Sequence, residues 1–300
     1  MTSGTHDYLD DPRNSEILIS INGAMVSRDD AKVSVFDSGF MLGDGVWEGI
    51  RYHRGKLLFF QAHMDRLYEG AKAIDMDIGF SRLELGARIR AVLDANDMET
   101  DVHIRLMVTR GVKSTPYQHP NVTITPPTVV IIPEYKVVIE GGGIRLVTVH
   151  VRRGAPDVQD PGLNSHSKLN CIQACIQADK MGADEALMLD PHGFVATCNS
   201  THFFIVRKGQ VWTSSGKYCL SGITRANVLA LCGDNGIECF EKDFSLIDVY
   251  SADEAFVTGT FAGLIPVTEI DGRIISDAKG PVTTRLKNLY KALCDREASI

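Results

Sequence analysis

The spacing of hydrophobic residues predicts a strand-rich first half that also contains two helices. Residues 17–21 are apolar and β-branched, and Asn22-Gly23 after them is typical of a hairpin turn. In 62–74 and 83–93 an apolar residue recurs every three or four positions, as on the buried side of a helix. Three more stretches have strand character, namely 57–60, 103–109 and 128–132.

The second half of the chain alternates between strand and helix. A glycine turn at 140–143 precedes a strand at 144–151. The polar stretch 152–165, rich in Gly, Pro and Asp, has the composition of a connection between domains. Strand patterns at 185–189, 202–206 and 255–257 then alternate with helical patterns at 167–181, 224–232 and 281–293.

These elements predict an α+β (α/β) fold with two domains. The 300 residues, 44% of them hydrophobic, are ample for a packed core and suggest two domains. We assign a flexible tail to 1–15, a small N-terminal α/β domain to 16–150, an interdomain loop to 151–161 and a larger C-terminal domain to 162–300.

Charge and cysteine content exclude several classes of partner. The net charge is −7 and the chain has no block of Lys or Arg, so nucleic acid and anionic membranes are poor partners. No apolar stretch has the features of a signal peptide or the length of a membrane span. The seven cysteines, an odd number without a CxxC pair, indicate reduced thiols. We therefore predict a cytoplasmic protein, and we predict no metal site.

Two turns that contain glycine and threonine are candidates for an anion site. Gly222, Ile223 and Thr224 stand where a helical pattern begins, so free amides, a hydroxyl and the helix dipole would face a bound phosphate. Gly259 and Thr260 follow a strand and could face the same anion. Each turn is also compatible with a structural role alone, as a capped helix start or a common turn.

Four cationic residues have settings that could serve chemistry. Arg51 and Arg105 lie in apolar, strand-like surroundings, where a guanidinium needs either an acidic ligand or a structural Asp or Glu. Arg66 lies on the first amphipathic helix, where a surface ion pair is the ordinary role. Lys168 begins a helix beside the interdomain connection. In a desolvated cleft it could form a Schiff base, and otherwise it is a surface residue.

Together these motifs resemble the fold-type IV pyridoxal-phosphate (PLP) enzymes, the class IV aminotransferase family of the branched-chain and D-amino-acid aminotransferases. The resemblance covers about residues 16–295, and it rests on the order and spacing of the motifs. The matching segments are FDSGFMLGDGVWEGIR at 36–51, HMDRL at 63–67, GADEALMLD at 182–190, SGITR at 221–225, Gly259-Thr260, IDGR at 270–273 and GPVT at 280–283.

The resemblance implies a homodimer of two-domain subunits, with PLP between the domains and a small amino acid or oxo acid as substrate. It makes Lys168 the catalytic lysine. In the branched-chain type a strand arginine binds the substrate carboxylate, and here that arginine is Arg105, with His103, Arg51 and Trp47 near the substrate. The cofactor-binding residues that it implies are Arg66, Thr197, Gly222, Ile223, Thr224, Gly259 and Thr260.

The D-amino-acid type binds the substrate carboxylate differently, and this chain lacks the residues for it. That type uses an Arg and a His in the loop that follows the strand of Arg105. At those places this chain has Thr115 and Tyr117. The resemblance therefore favours the branched-chain type for carboxylate binding.

Two positions depart from the family's pattern. The family has a Glu opposite the PLP ring nitrogen, four residues after a glycine, and here Thr197 follows Gly193 at that distance. A hydroxyl would leave the ring nitrogen neutral and weaken the ring as an electron sink. Without gaps, the family's Schiff-base lysine falls on Asn164, and Lys168 comes one helical turn later. A gap in the alignment restores Lys168 to the lysine position.

The main prediction is a PLP-dependent aminotransferase that moves an amino group between an amino acid, or an amine, and a 2-oxo acid through an aldimine on Lys168. Thr197 favours one alternative, a PLP-dependent lyase similar to aminodeoxychorismate lyase or a β-eliminating enzyme. Asn164 favours another, a homologue that binds PLP or a different phosphorylated ligand without catalysis.

Overall fold

A computed structural model describes residues 8–138 and 142–299 of the chain. Their contacts divide the chain into an N-terminal unit, formed by 9–137 and 163–167, and a C-terminal unit, formed by Tyr8, 138–162 and 168–299. The first seven residues of the predicted tail and part of the predicted glycine turn lie outside the described residues. None of the described helices combines the length and the apolar composition needed to cross a bilayer.

The first half of the chain is dominated by a six-stranded antiparallel sheet. The strands of this half are β1 (Tyr8–Leu9), β2 (Leu18–Ile21), β3 (Ala24–Ser27), β4 (Gly45–His53), β5 (Lys56–Leu57), β6 (Val102–Thr109), β7 (Thr128–Tyr135) and β8 (Val137–Val138). Its helices are α1 (Ser38–Leu42), α2 (Phe60–Ala73) and α3 (Arg82–Ala95). The order of the sheet is β3-β2-β7-β6-β4-β5, and β1 pairs with β8 outside it.

One face of this sheet forms the core of the N-terminal unit. Side chains of a strand alternate between two faces, and in β4 and β6 every second residue, such as Ile50 and Ile104, is buried. Met64 of α2 and Ile89 of α3 belong to the same hydrophobic cluster. The other residues of β4 and β6 therefore stand on the opposite face, away from α2 and α3.

The C-terminal unit contains a nine-stranded mixed sheet. Its strands are β9 (Ile144–Thr148), β10 (Glu185–Leu189), β11 (Val195–Cys198), β12 (His202–Arg207), β13 (Gln210–Thr213), β14 (Cys239–Glu241), β15 (Glu254–Gly259), β16 (Gly263–Ile270) and β17 (Arg273–Ile274). The helices of this unit are α4 (Pro156–Gln159), α5 (Leu169–Lys180), α6 (Ile223–Asp234), α7 (Leu246–Tyr250) and α8 (Pro281–Ser299). The order is β11-β10-β9-β16-β15-β12-β13-β14, with β17 on β16.

The mixed α and β fold predicted from the sequence is confirmed, but three local predictions are wrong. The strand predicted at 57–60 ends at Leu57, because Phe59 has a left-handed backbone (φ 52°) and α2 begins after it. The predicted tail includes a 3-10 helix, Pro12–Ser15, whose buried Asn14 donates to Tyr135 O (2.9 Å) and accepts from Tyr135 N (2.8 Å).

The third correction concerns the predicted domain boundary. The strand β9, which the sequence analysis placed in the first domain, pairs in parallel with β10 and β16 of the second sheet. The predicted interdomain loop at 151–161 also belongs to the C-terminal unit. Composition located the polar stretch 152–165, but it could not show which sheet β9 joins, because strand pairing depends on residues far away in the chain.

Candidate active site

The four residues predicted to bind substrate lie on one face of the N-terminal sheet, the face opposite α2 and α3. Trp47 and Arg51 are on β4, and His103 and Arg105 are on β6. The register places Arg51 opposite His103, and Gly49 opposite Arg105. Residues two apart in a strand lie on the same face of the sheet, and residues paired across two strands also share a face. The fold therefore brings these four side chains to one surface.

Among the described residues, contacts on this surface leave both arginines without a carboxylate. The Arg105 Cζ lies 3.9 Å from the centroid of the Trp47 ring. The His103 ring lies against Gly49, where an added Cβ would come within 2.9 Å of Cε1. In the described part of the chain, neither Arg51 nor Arg105 forms a salt bridge. Within residues 8–138 and 142–299, no Asp or Glu thus forms a salt bridge with either guanidinium, although Glu134 is near enough for its charge to act on Arg105.

Desolvation changes the electrostatics of Arg105. The loss of water around the guanidinium lowers its pKa, and the negative charge of Glu134 on β7 partly offsets that effect. An arginine stays protonated in proteins in spite of such a shift. The side chain as a whole is still exposed, so its charge is only partly desolvated. An anionic ligand on this face would replace the water that the guanidinium has lost.

The segment before α5 holds Trp47 in place. The Trp47 backbone N–H donates to Asn164 O (3.0 Å), and Asn164 Nδ2 donates to Trp47 O (2.6 Å). The indole Nε1 donates to Ser165 O (3.1 Å). Asn164 is 5% exposed, and its Oδ1 has no hydrogen-bond partner within residues 8–138 and 142–299. The sequence placed Asn164 at the family's lysine position, but this clamp on Trp47 was not predicted.

A buried ionic network joins β4 to α2 and orients Arg66. Arg66 donates from Nε to Glu48 Oε1 (2.8 Å) and from Nη2 to Oε2 (2.7 Å), and His63 Nδ1 lies 2.7 Å from Oε2. Glu48 is fully buried on the core face of β4. The sequence analysis missed Glu48. Its position, midway between the apolar residues Val46 and Ile50 of one strand, could have predicted a buried charge that needs a partner.

Protonation in this network follows from its burial. Burial acts to raise the pKa of Glu48, but the hydrogen bonds and charges of Arg66 and His63 outweigh it and hold that pKa below its usual value. Burial lowers the pKa of His63. The imidazole is therefore neutral and donates from Nδ1 to the Glu48 carboxylate.

Helix α6 begins at the first predicted phosphate turn. Its first intrahelical bond runs from Ala226 N–H to Gly222 O (2.9 Å), so the amides of Ile223 and Thr224 lie before the helical ladder. The imidazole of His202 lies so close to Gly222 that any Cβ there would overlap it. A side chain at this position would therefore have to displace His202, and with glycine no side chain of residue 222 covers the amides.

The second predicted turn, Gly259 and Thr260, lies where β15 ends, before β16 begins at Gly263. The Tyr290 hydroxyl is 3.5 Å from Thr224 Oγ1. The ring edge of Tyr290 lies 3.2 Å from where a Cβ of Gly263, the partner of Gly259 across the turn, would stand. Tyr290 of α8 therefore lies near both the Thr224 hydroxyl and Gly263, the residue that faces Gly259 across the turn.

The donors of the C-terminal unit fit a phosphate ester. The amides at the start of α6 precede the helical ladder, and the Thr258 hydroxyl at the end of β15 is buried without a hydrogen-bond partner among the described residues. Across residues 8–138 and 142–299, no three His, Cys, Asp or Glu side chains form a group that could hold a metal ion.

Thr197 and Lys168 also lie in the C-terminal unit. Thr197 is buried on β11 and donates its hydroxyl proton to Thr201 O (2.7 Å). Lys168 is the half-buried N-cap residue of α5. Asn164, by contrast, belongs to the N-terminal unit. The two candidate lysine positions therefore fall on different units of the chain.

Comparisons with known proteins agree with this geometry. The family model "Amino-transferase class IV" matches residues 45–270. A putative branched-chain-amino-acid aminotransferase of Methanocaldococcus jannaschii is 41% identical over 275 residues, which cover 91% of this chain and 95% of the relative. A branched-chain-amino-acid aminotransferase-like protein 2 of Arabidopsis thaliana is 41% identical over 95% of this chain. The chain spans about half the length of that relative, 51% of it.

Solved structures of branched-chain aminotransferases share the fold. The enzyme from Thermoproteus uzoniensis, with norvaline, superposes with a TM-score of 0.85 and is 31% identical, over 94% of this chain and 95% of that one. The enzyme from Thermobaculum terrenum in its PLP form superposes with a TM-score of 0.84 and is 26% identical, over 95% of each chain. The predicted fold type is thereby confirmed, and this chain belongs to the class IV aminotransferase family.

Proposed function

We propose that this chain is a PLP-dependent aminotransferase that moves an amino group between an amino acid, or an amine, and a 2-oxo acid. The observation that supports the proposal is the arrangement of the two predicted phosphate turns in the C-terminal unit of a member of this family. There the Thr224 hydroxyl at the start of α6 lies 3.5 Å from the Tyr290 hydroxyl, and the Tyr290 ring packs beside Gly263, the cross-strand partner of Gly259. None of the relatives named above is named as a lyase, so the comparisons add no support to the lyase alternative, which rests on Thr197 alone.

The residues that would hold the phosphoryl group are Arg66, Ile223, Thr224 and Thr260. Glu48 accepts hydrogen bonds from two N–H groups of the Arg66 guanidinium. These two bonds fix the plane of the guanidinium and so the direction of its remaining donors. When bound, PLP supplies an aldehyde that accepts an amino group and a ring that withdraws electrons from the substrate carbon.

Thr197 would face the ring nitrogen as a hydrogen-bond acceptor. The single proton of the Thr197 hydroxyl is used in the hydrogen bond to Thr201 O. The hydroxyl oxygen can therefore accept a further hydrogen bond but cannot donate one. Such a hydroxyl suits a ring nitrogen that carries a proton. The neutral nitrogen expected from the sequence would instead need a donor at this position.

Lys168 is the proposed catalytic lysine. Of the two candidate positions only residue 168 carries an amine, whereas residue 164 has an amide, which donates to Trp47 O. Lys168 would attach the cofactor through Nζ and take the proton from the substrate Cα. The N-cap position of α5 would let the stem of its side chain extend before the helix begins.

The N-terminal sheet face with Trp47 and Arg105 would bind the substrate. Arg105 and Arg51 would hold a carboxylate, since the described chain provides none for them. The Trp47 ring beside Arg105 offers apolar surface to a side chain. Since the relatives are named as branched-chain-amino-acid aminotransferases, we propose branched-chain amino acids as the first substrates to test.

Reduction with borohydride tests the lysine directly. The protein is incubated with PLP, reduced, digested and analysed by mass spectrometry, and a phosphopyridoxyl group is expected on Lys168. Lys168→Arg should lose this group, whereas Lys180→Arg, at the exposed end of the same helix, should retain it. A wild-type protein that binds PLP but carries no modified lysine after reduction would show that the chain does not use a covalent link.

We further propose a cytoplasmic homodimer. Leu169, Ile172 and Ile176 are 67%, 51% and 49% exposed, and their spacing puts them on one side of α5. An apolar helix side of this kind is typical of a surface that another chain covers. All seven cysteines are free thiols, which suits a reducing compartment. Light scattering of the full chain would measure its oligomeric state.

A further inference from the structure

The loop between β6 and β7 contains a lysine whose charge is almost completely buried. Lys113 is 1% exposed. Its ammonium donates one hydrogen bond, to the carbonyl oxygen of His119 (3.3 Å). An ammonium has three N–H donors, so two remain unused among the described residues. Within residues 8–138 and 142–299, no carboxylate lies within salt-bridge distance of this Nζ.

Thr123 lies directly across from Lys113. The two residues form an antiparallel bridge, and the backbone hydrogen bonds that flank it are 2.8 and 2.9 Å long. This pattern makes them a non-hydrogen-bonded pair, in which the Cα atoms are about 4.5 Å apart and the side chains share one side of the ribbon. The Thr123 hydroxyl is itself buried and has no hydrogen-bond partner in the described chain.

Two other poorly exposed cations of the N-terminal unit have carboxylate partners. Arg66 has Glu48, and Arg110 donates two hydrogen bonds to Asp44 (2.7 and 3.1 Å). A buried charge that lacks a counterion is costly, because hydration is lost and no attraction replaces it. The environment of Lys113 is thus incomplete within the described chain, and an anion would complete it.

The geometry points to a carboxylate-binding site in this loop, with Lys113 Nζ and Thr123 Oγ1 as its two donors. The site offers one positive charge and two donor groups, which match the single charge and the two oxygens of a carboxylate. A phosphate dianion would leave one negative charge unbalanced in a buried place. Because Lys113 is 1% exposed, access of a carboxylate to its ammonium requires the loop to open.

This site does not depend on the proposed transaminase activity. Its ligand is defined by chemistry alone, and the carboxylate can come from two sources. One is the substrate or product, held by the loop that in the D-amino-acid type carries the carboxylate-binding Arg and His. The other is a separate small anion that stabilises the loop. The two sources are distinguished by whether loss of the site changes the KM for the substrate.

The test is a titration of the full chain with acetate, compared with chloride at the same ionic strength. Calorimetry gives the dissociation constant, and carbon-13 acetate in NMR reports binding independently. Lys113→Met should weaken acetate binding about tenfold to a hundredfold, because a charged hydrogen-bond donor is lost. Thr123→Val should weaken it about twofold to tenfold, since only a neutral donor is lost.

Two further variants serve as controls. Lys72→Met, which removes an exposed lysine of α2, should bind acetate as the wild type does. Lys113→Arg retains the charge and should retain acetate binding, and together with Thr123→Val it keeps the test decisive if the methionine variant does not fold.

The outcome also identifies the source of the carboxylate. A rise in the KM for the 2-oxo acid in Lys113→Met, together with the loss of acetate binding, would assign the site to the substrate carboxylate. Loss of acetate binding with an unchanged KM would assign it to a separate anion. Equal acetate affinity in the wild type and in Lys113→Met, or no acetate effect beyond that of chloride, would overturn the assignment.

Discussion

Replacing Asn164 perturbs the clamp that fixes Trp47. In the wild type the Asn164 amide donates a 2.6 Å hydrogen bond to Trp47 O, and the Trp47 N–H donates a 3.0 Å bond back to Asn164 O. Asn164→Leu keeps the size of the side chain and the backbone bond but removes the amide donor. Asn164→Asp keeps the shape and replaces the donor by an acceptor that faces the carbonyl oxygen.

The magnitudes follow from the burial of Asn164. A buried carbonyl left without its donor costs about 1–3 kcal/mol. Leucine also removes the Oδ1 that has no partner in the described chain, which is itself unfavourable in the wild type. We therefore expect a net loss near the lower limit, about 1 kcal/mol. Aspartate places a second acceptor, and at neutral pH a buried charge, against Trp47 O, so we expect a loss above about 3 kcal/mol for this variant.

The assay is urea unfolding followed by tryptophan fluorescence. The chain has two tryptophans, so a Trp212→Phe background makes Trp47 the reporter. Asn121→Leu, at an exposed position, is the control and should unfold like its parent. The expected order of stability is wild type, then Asn164→Leu, then Asn164→Asp. An aspartate variant as stable as the leucine variant would show that the side chain does not donate to Trp47 O, and the clamp would be wrong.

Three other changes have definite expected outcomes. Gly222→Ala adds a Cβ that overlaps His202, so it should cost about 1–3 kcal/mol of unfolding free energy and weaken the protection by inorganic phosphate in thermal melts. The pKa of His63 is lowered by folding, so the unfolded chain binds the extra proton and stability falls as pH drops below about 6.5, by up to about 1.4 kcal/mol per pH unit. In a His63→Leu variant the unfolding free energy should depend less steeply on pH below about 6.5. An unchanged pH dependence would refute the conclusion that folding lowers the pKa of His63. Arg105→Lys keeps the charge but loses the planar contact with Trp47, so the KM for the amino acid should rise about tenfold with a smaller change in kcat, while an exposed arginine of α3 replaced in the same way should change neither.

Helix α2 and the turn before α6 show what short-range pattern could predict. An apolar residue every three or four positions located α2 to within two residues of its observed start at Phe60. The Gly222-Ile223-Thr224 turn was expected at a helix start, and α6 begins there. Both features depend on residues that are close in the chain, because helical hydrogen bonds and helix starts are local.

The roles of individual charged residues were less accessible. Arg51 and Arg105 were identified as residues that need a partner, but the sequence left open whether that partner is a structural acid or a ligand. In the described chain neither guanidinium forms a salt bridge with an acid, and only the charge of Glu134 acts on Arg105 from nearby. From its helical position alone Arg66 was expected to form a surface ion pair, and the fold instead buries its partner, Glu48, beneath it.

By itself the sequence determined the order of the elements, the positions of the glycine turns and the family, because each of these is encoded in residues near one another or in the order of motifs. Only the tertiary structure decided which distant residues meet: Asn164 with Trp47, and Lys113 with Thr123 across a loop. It also decided that β9 joins the second sheet. Strand pairing and the burial of a charge depend on long-range contacts, and the free energy of a polar group is set by the partners and the water that those contacts leave to it.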